Sequence, residues 1–352
     1  MAVARAAGVS ASTVSNVFNR PHVVSPALRE RVLQAASELG YGGPDPSARS
    51  LRSGRASALG VVIRERLAHA FEDVATVRVL QGISDAADPH HLGLVIAPAY
   101  PEEGTTGGPA VRHAAVDGLL LYSLAGDDPL IDAARRRHLP IVVIDSPTAA
   151  ERPDAADLPS VGIDEAAAGE AAVRHLVELG HRRLGVLSLR LSARDLPGPA
   201  DTGAQARSTA NVPKGRLAGA ARAAAAAGVG WAEVPVVQCR ISGIEDGRAG
   251  AHALLDAAPA TTALFALSDA LALGARLAAR ERGLSVPGDL SIVGFDDSAS
   301  PAEELTTIHQ PLREKGCIAT EALLRELAGE PPAARRRILP TRLVVRGSTA
   351  AV

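Results

Sequence analysis

From residue 58 onward, short apolar runs alternate with helix-like stretches, and this alternation constrains the fold more than any other feature. The runs are almost continuous in aliphatic residues, as strands buried on both faces require. Strands that alternate with helices indicate parallel sheets covered by helices. Because eight strands exceed the usual size of one open sheet, we expect an α/β body of two sub-domains, each with a doubly wound parallel sheet. The predicted strands are 58–63, 92–97, 117–122, 141–145, 184–189, 234–238, 262–268 and 290–295. The predicted helices are 129–138, 166–179, 216–227, 246–257, 269–282 and 313–328.

Polar residues follow several of these runs, at the strand ends where open parallel sheets bind ligands. Carboxylates and an arginine fork make paired hydrogen bonds to a polyhydroxyl molecule, and an aromatic face packs against a sugar or a base. The alternative is that an aspartate after a strand caps the next helix or turn, which is the role we expect for Asp269. The candidate ligand-binding residues are Phe71, Tyr122, Asp145, Arg216, Ser268 and Asp296.

The N-terminal region, residues 1–57, contains the head and the segment after it, and it differs from the rest in charge and pattern. Seven arginines and three acidic residues give it a net charge of +4, whereas the whole chain carries −2, so the head favours a polyanionic partner. Ser10 is placed to cap a helix over 11–18. A third helix follows, with Ser25 as its cap, Pro26 as its first residue and Gly40 at its end. Short helices joined by a tight turn predict an all-α helix-turn-helix head, whose second helix lies in the major groove of DNA.

Ordered motifs cover nearly the whole chain. The head contains VARAAGVSASTVSNVFN, VSPALRERV, ELGYG and ARSLRSG, and the body contains GHRRLGV, SDALALG, SVPGDLSIVGFDD and LTTIHQPLREKG. Together they resemble the lactose-repressor/galactose-repressor (LacI/GalR) family of transcription factors. The resemblance implies a periplasmic-binding-protein-like body and a DNA-binding head. We expect the head at 1–45, a hinge segment at 46–57, sub-domain 1 at 58–162 with 311–337, and sub-domain 2 at 163–310 with 340–352.

The resemblance also implies roles for residues on the DNA-binding surface. Base edges are read by Ala11, Ser12 and Asn16, with His22 a further candidate. Phosphates are contacted by Ser10, Thr13, Ser15 and Asn19. Hydroxyl and amide groups suit both kinds of contact, whereas Ala11 offers only its methyl group, for instance to thymine. Capping alone is the alternative role for Ser10, and ordinary helix surface is the alternative for Thr13 and Ser15.

The segment 46–54 is too short to form a stable helix in water. In the resembling family, two copies of this segment pair in the minor groove, which implies DNA contacts for Ala48 and a wedge between base pairs for Leu51. Such a wedge costs a few kcal/mol per base step, which the wider contacts of the bent duplex offset. The alternative is a plain linker whose leucine packs on the body.

The motifs of several enzyme classes are missing from the sequence. It has no Gly-rich phosphate loop, no His/Cys cluster with metal spacing and no G-x-S-x-G nucleophile setting, so we expect neither an enzyme nor a cofactor. Two cysteines and no apolar run of ~18 residues indicate a cytoplasmic protein without a membrane segment.

We therefore expect a homodimeric transcriptional repressor that binds operator DNA and is released by a small effector, most simply a carbohydrate. A solute-binding protein with the same body and no transcriptional role is the alternative. The stretch 190–213 is rich in Pro, Gly and Ser, and we expect a mobile loop there. It either folds over the ligand cleft or is an insertion.

Overall fold

The computed structural model describes residues 2–19, 21–42, 54–98, 108–193 and 196–352. The chain divides into two compact units, Met1–Ser57 and Ala58–Val352, here called the head and the body. The predicted hinge contacts of Ala48 and Leu51 lie outside the described residues. Within the described residues, no helix combines the length and apolarity that crossing a bilayer requires.

The head contains three helices around a small aliphatic core, as the sequence predicts. They are α1 (Ala2–Ala6), α2 (Ala11–Asn19) and α3 (Pro26–Glu38), with a 3₁₀ turn at Pro21–Val23 between the last two. The core consists of Val3, Ala4, Ala7, Val14, Val17, Val32, Ala35 and Ala36.

The two predicted caps of the head helices differ in outcome. The Ser10 hydroxyl accepts a hydrogen bond from the backbone N–H of Thr13 at 3.1 Å, so Ser10 caps α2. Ser25 occupies the N-cap position of α3, but its side chain makes no capping bond. Ser25 therefore stands at the cap position that the sequence predicts, but without a side-chain bond, and the ring of Pro26 sets the helical φ at the start of α3.

The first sheet of the body is entirely parallel, with strand order β12-β5-β4-β3-β1-β2. Its strands are β1 (Ala58–Ile63), β2 (Gly93–Pro98), β3 (Gly118–Tyr122), β4 (Ile141–Ile144), β5 (Ser160–Ile163) and β12 (Arg336–Leu339). Its helices are α4 (Leu67–Glu72), α5 (Val74–Ala87), α6 (Pro109–His113), α7 (Pro129–Arg135) and α13 (Leu312–Leu327).

The second sheet has the order β13-β11-β10-β9-β6-β8-β7, with antiparallel strands only at its two edges. Its strands are β6 (Leu184–Ser188), β7 (Gly198–Pro199), β8 (Val236–Gln238), β9 (Ala263–Ala266), β10 (Ser291–Asp296), β11 (Thr306–His309) and β13 (Arg342–Val344). Its helices are α8 (Glu165–Glu178), α9 (Thr202–Ala206), α10 (Asn211–Ala226), α11 (Ile244–Ala257) and α12 (Asp269–Glu281). The chain passes between the sheets after β5, after β11 and after β12, a triple connection suited to hinge motion.

All eight predicted strands form, and the fold class is confirmed. The sequence patterns miss β5, β7, β11, β12 and β13, which have two to four residues each. Most of β12 is exposed, so it lacks the apolar run that identifies a buried strand.

The expected loop at 190–213 also differs from the structure. It contains β7, α9 and the first turn of α10, and the Asp201 carboxylate caps α9 by accepting from Ala204 N–H at 2.7 Å. The described part of the stretch is therefore not loop throughout, because caps and tertiary contacts order a segment whose composition suggests a turn. Its mobility stays a prediction.

Candidate functional site

A cavity lies between the two sheets, at the carboxyl ends of their strands. The strands β1, β3 and β4 reach it from the first sheet, and β6, β8, β9 and β10 reach it from the second. Its volume is about 170 Å³, close to the ~150 Å³ of an engineered cavity that holds one benzene molecule. The cavity therefore has room for one ring-sized molecule.

Five of the six predicted ligand-binding residues line this cavity. They are Tyr122, Asp145, Arg216, Ser268 and Asp296. Phe71 does not line it, because Phe71 lies on α4 with 59% of its surface exposed. The sequence patterns miss other polar residues of the lining, among them Glu65, Asp73, Asn211 and Gln310. Asp73 and Gln310 do not follow any of the eight predicted strands directly, which is why the strand-end signal does not find them.

Arg216 is buried and held from several sides. Its Nε donates to Glu165 Oε2 at 2.7 Å, one terminal nitrogen donates to the Leu267 carbonyl at 2.6 Å, and its guanidinium carbon lies 3.4 Å from the Phe295 ring centroid. That nitrogen is also 3.9 Å from Asp296 Oδ1. Burial alone would lower the pKa of Arg216, but Glu165 and Asp296 outweigh burial and raise it. The guanidinium is thus a fixed cation in the wall of the cavity.

Close helix packing places Arg216 there. The helices α8 and α10 pack against each other, and a Cβ added at Gly219 would clash with the carbonyl oxygen of Ala166. Only glycine allows the two helix backbones to approach so closely. The first turns of α10 consequently reach the cavity wall.

A chain of hydrogen bonds joins the carboxylates of the two sheets beneath the cavity. Lys315 Nζ donates to Asp145 Oδ1 at 2.6 Å and to Gln310 Oε1 at 2.5 Å. The Gln310 amide nitrogen donates to Asp296 Oδ1 at 2.5 Å. Asp145 follows β4 of the first sheet, and Asp296 ends β10 of the second. The chain therefore spans both halves of the site.

Backbone conformation also marks this region. Ser123, Asp145 and Asp296 have φ values of +52°, +66° and +108°, in a region that non-glycine residues rarely adopt. Each residue lies at the carboxyl end of a strand and lines the cavity. Backbone strain of this kind concentrates at functional sites, where the surroundings hold it in place.

Burial changes the protonation of several lining groups. It raises the pKa of the Asp296 carboxyl well above the usual range, against the opposing effect of Arg216. It also raises the pKa of Glu65, which His69 opposes, and the pKa of the Tyr122 hydroxyl. The cavity thus holds carboxyl groups whose charge responds to what binds beside them.

Direct hydrogen bonds join the two halves of the body on another side of the cavity. Arg64 donates to the Ala193 carbonyl at 2.7 Å, and Gly126 N–H donates to the Thr209 carbonyl at 2.7 Å. The Thr209 hydroxyl donates to Asp127 Oδ1, also at 2.7 Å. The two halves of the body are therefore joined beside the cavity, and part of the stretch 190–213 contributes to this contact.

Asp269 has a structural role other than the helix cap expected for it. Ser268 is the residue that caps α12, by accepting from Leu271 N–H at 3.2 Å. The Asp269 carboxylate instead accepts from the backbone N–H of Ser298 at 2.6 Å and from the Thr307 hydroxyl at 2.6 Å. The capping prediction for Asp269 is wrong, because its side chain ties the loop after β10 to β11.

On the head, the outward face of α2 carries small side chains. Ala11, Ser12 and Asn16 are exposed, Thr13 and Ser15 are half-buried, and Ser10 and His22 are exposed. Besides capping α2, the Ser10 hydroxyl contacts the hydroxyls of Ser12 at 2.7 Å and Thr13 at 2.8 Å. Asn19 is the last residue of α2. A face of hydroxyl, amide and methyl groups can approach phosphates and base edges closely.

Comparison with known proteins gives the family. Residues 2–43 match "Bacterial regulatory proteins, lacI family", and residues 173–349 match "Periplasmic binding protein-like domain". The HTH-type transcriptional regulator IpsA of Corynebacterium glutamicum is 38% identical, over 93% of this chain and 91% of its own.

Two solved structures are similar over 99% of this chain and 98% of their own. One is a complex of the transcriptional regulator CelR with cellobiose, with a TM-score of 0.70 and 30% identity. The other is the lac repressor dimer bound to operator and the anti-inducer ONPF, with a TM-score of 0.76 and 26% identity. The helical head, the body with its cleft and the similarity to these relatives agree. The chain belongs to the lacI family of bacterial regulatory proteins and is a DNA-binding transcriptional regulator.

Proposed function

We propose that this regulator is a cytoplasmic homodimer that represses transcription and is released from its operator by a small, neutral, polyhydroxyl effector. The observation that carries the effector proposal is the polar lining of the cavity between the sheets. A two-fold protein matches a palindromic operator, and the similar lac repressor structure is a dimer on its operator.

The charges of the cavity favour a neutral ligand that donates hydrogen bonds. Two of the arginines that line it are already paired, Arg216 with Glu165 and Arg64 with Asp128. An anionic ligand would have to compete with those carboxylates for the cations. Asp145 and Asp296 offer oxygens that accept hydrogen bonds, as sugar hydroxyls require. Similar proteins have been solved with cellobiose and with ribose.

For DNA recognition we propose the residues identified from the sequence. The exposure of Ala11, Ser12 and Asn16 on α2 suits base-edge contacts, with His22 beside them. The N-terminus of α2, where Ser10 and Thr13 lie, suits phosphate contacts because the first N–H groups of a helix attract anions. We propose further phosphate contacts for Ser15 and Asn19, and contacts in the minor groove for Ala48 and Leu51.

The effector and the operator are coupled through the body in this proposal. Sub-domain 1 is 58–162 with 311–337, sub-domain 2 is 163–310 with 340–352, and the hinge segment 46–57 precedes them. An effector changes how the sub-domains close. The paired hinge segments then separate and dissociate from the minor groove. Coupling of this kind is typically worth 1–3 kcal/mol, and it is reciprocal, so operator binding weakens effector binding by the same factor.

Fluorescence anisotropy with an operator fragment selected from genomic DNA tests the proposal. We expect salt-dependent binding that a single-ring sugar, D-ribose, D-glucose or D-galactose, weakens. Asp296→Ala should abolish the sugar response and leave operator affinity unchanged. If the wild-type protein prefers no genomic fragment over random DNA, the proposed role in operator binding is wrong. If Asp296→Ala responds to sugar as the wild type does, the proposed effector site is wrong.

A further inference from the structure

Lys315 is an unusual residue for its place in the structure. The chain contains only two lysines, Lys214 and Lys315. Lys214 is exposed on α10, whereas the side chain of Lys315 on α13 is 0% exposed. A fully buried ammonium is costly to desolvate, and it persists only where its partners compensate.

We infer that Lys315 is a positioning residue of the effector cleft. It fixes the position of the Asp145 carboxylate directly and that of the Asp296 carboxyl through Gln310. The inference rests on the proposed effector cleft and names how its two carboxylates are held. The first link is the 2.6 Å bond from Lys315 Nζ to Asp145 Oδ1, between a side chain 0% exposed and one 7% exposed. This bond compensates both buried charges and fixes one carboxylate oxygen.

The second link depends on the direction of the Gln310 amide. An ammonium only donates, so the atom of the Gln310 amide that faces Lys315 must be its carbonyl oxygen. The Gln310 side chain, 5% exposed as a residue, therefore has one satisfactory orientation, with Oε1 toward Lys315 at 2.5 Å and its amide nitrogen toward Asp296 at 2.5 Å. A flipped amide would place its NH₂ against the ammonium, and neither of those groups can accept a hydrogen bond. The charge of Lys315 thus selects the orientation that holds Asp296.

The third link is the position of Gln310 in the chain. Gln310 lies in the connection from β11 of the second sheet to α13, which packs on the first sheet. The hydrogen bonds Asp145–Lys315–Gln310–Asp296 therefore run along one of the three connections between the sheets. A ligand hydroxyl that reorients Asp145 also shifts Lys315 and Gln310, and thereby Asp296 on the opposite side.

The presence of only two lysines allows a direct test in full-length protein. Lysine labelled with ¹³Cε and ¹⁵Nζ gives two side-chain signals, with Lys214 as the internal control. We expect Asp296→Asn to shift the Lys315 signal by more than its linewidth and to leave Lys214 unchanged, although Asp296 does not contact Lys315. Asp297→Asn is the matched control, since Asp297 is bound by Arg346 and His309 instead.

A second variant separates the proposed links from a general disturbance. In a Gln310→Leu background, Asp296→Asn should no longer shift the Lys315 signal. The inference is overturned if Asp296→Asn does not change the chemical shift of Lys315, or if Asp297→Asn changes it equally. None of these measurements needs an effector, so they decide the role of Lys315 even if no sugar binds.

Affinity provides the functional measurement. For whichever of D-ribose, D-glucose or D-galactose binds the wild type, Lys315→Met should weaken binding at least tenfold, and Lys214→Met should not. Asp145→Asn combined with Lys315→Met should cost less than the two single changes added together, because the residues act as one unit. If the two losses of affinity simply add, Lys315 has no positioning role. If the wild type binds none of the sugars, only the proposal of a sugar effector is wrong.

Discussion

The head and the body treat polar groups in opposite ways. Within its described residues the head buries only aliphatic side chains, and its candidate recognition groups lie at the surface or half-buried. The body buries charged groups at its candidate site, among them Glu165, Arg216, Asp296 and Lys315. The recognition groups of the head therefore add little to the free-energy cost of folding. The buried ionisable groups of the cleft, by contrast, are compatible with a stable body only while they remain paired.

The largest expected effect tests this dependence in the body. Arg216→Met leaves the buried Glu165 without its salt-bridge partner and removes the cation beside Asp296. We expect the free energy of unfolding of the body to fall by roughly 3–5 kcal/mol. The single tryptophan, Trp231, lies in the body, so its fluorescence in urea reports this unfolding. Arg222→Met is the control, because the Arg222–Glu170 pair is largely exposed and should change stability by less than ~1 kcal/mol.

The next effect tests the aliphatic core of the head. Val32 is 0% exposed, and Val32→Ala should destabilise the head by about 2 kcal/mol through lost burial and the cavity left behind. A unit of this size has little stability to spare, so operator binding should be lost while the Trp231 transition stays in place. Leu33→Ala, at a position 39% exposed on the same helix, should leave operator binding nearly intact. A shifted Trp231 transition in Val32→Ala would show that the two units do not unfold separately.

A smaller effect concerns the helix caps of the head. Ser10→Ala removes a cap that the structure contains and should cost about 1 kcal/mol of head stability, measured by hydrogen exchange of the α2 amides. Ser25→Ala removes a residue without a capping bond and should cost clearly less. Equal losses in the two variants would indicate that the Ser10 bond contributes nothing. If Ser10 also contacts a phosphate, Ser10→Ala weakens operator binding beyond the change in stability.

The pH dependence of the body is the most gradual effect. Burial raises the pKa of Asp296 in the folded state, so the folded protein holds a proton that the unfolded chain releases. Between the ordinary pKa of aspartate and the raised value, the contribution of Asp296 to stability therefore decreases as pH rises, by at most ~1.4 kcal/mol per pH unit for one proton. Asp296→Asn should flatten this slope in urea unfolding followed by Trp231 fluorescence. An identical slope in the variant would assign the titration to other groups, such as Glu165, whose pKa burial also raises.

Much of the fold follows from local patterns in the sequence. The eight apolar runs become strands because two buried faces require continuous aliphatic residues. The strand-end rule also locates Tyr122, Asp145, Ser268 and Asp296 at the cavity. The rule misses Gln310 and Lys315, which belong to a connection and a helix and resemble surface residues in the sequence. The aromatic side chain of Phe71 predicts a ligand contact, yet Phe71 is 59% exposed on α4, because residue type alone does not say which way a helix faces.

The sequence alone determined the two-part plan of the chain, a small basic helical head before an α/β body. Helix caps, glycine stops and apolar periodicity act over a few residues, so they are readable without a structure. The packing of the two sheets brings Lys315 to Asp145, 170 positions away, and places Gln310 between Lys315 and Asp296. Those contacts depend on how two sheets pack around a buried charge, and no local pattern records that packing.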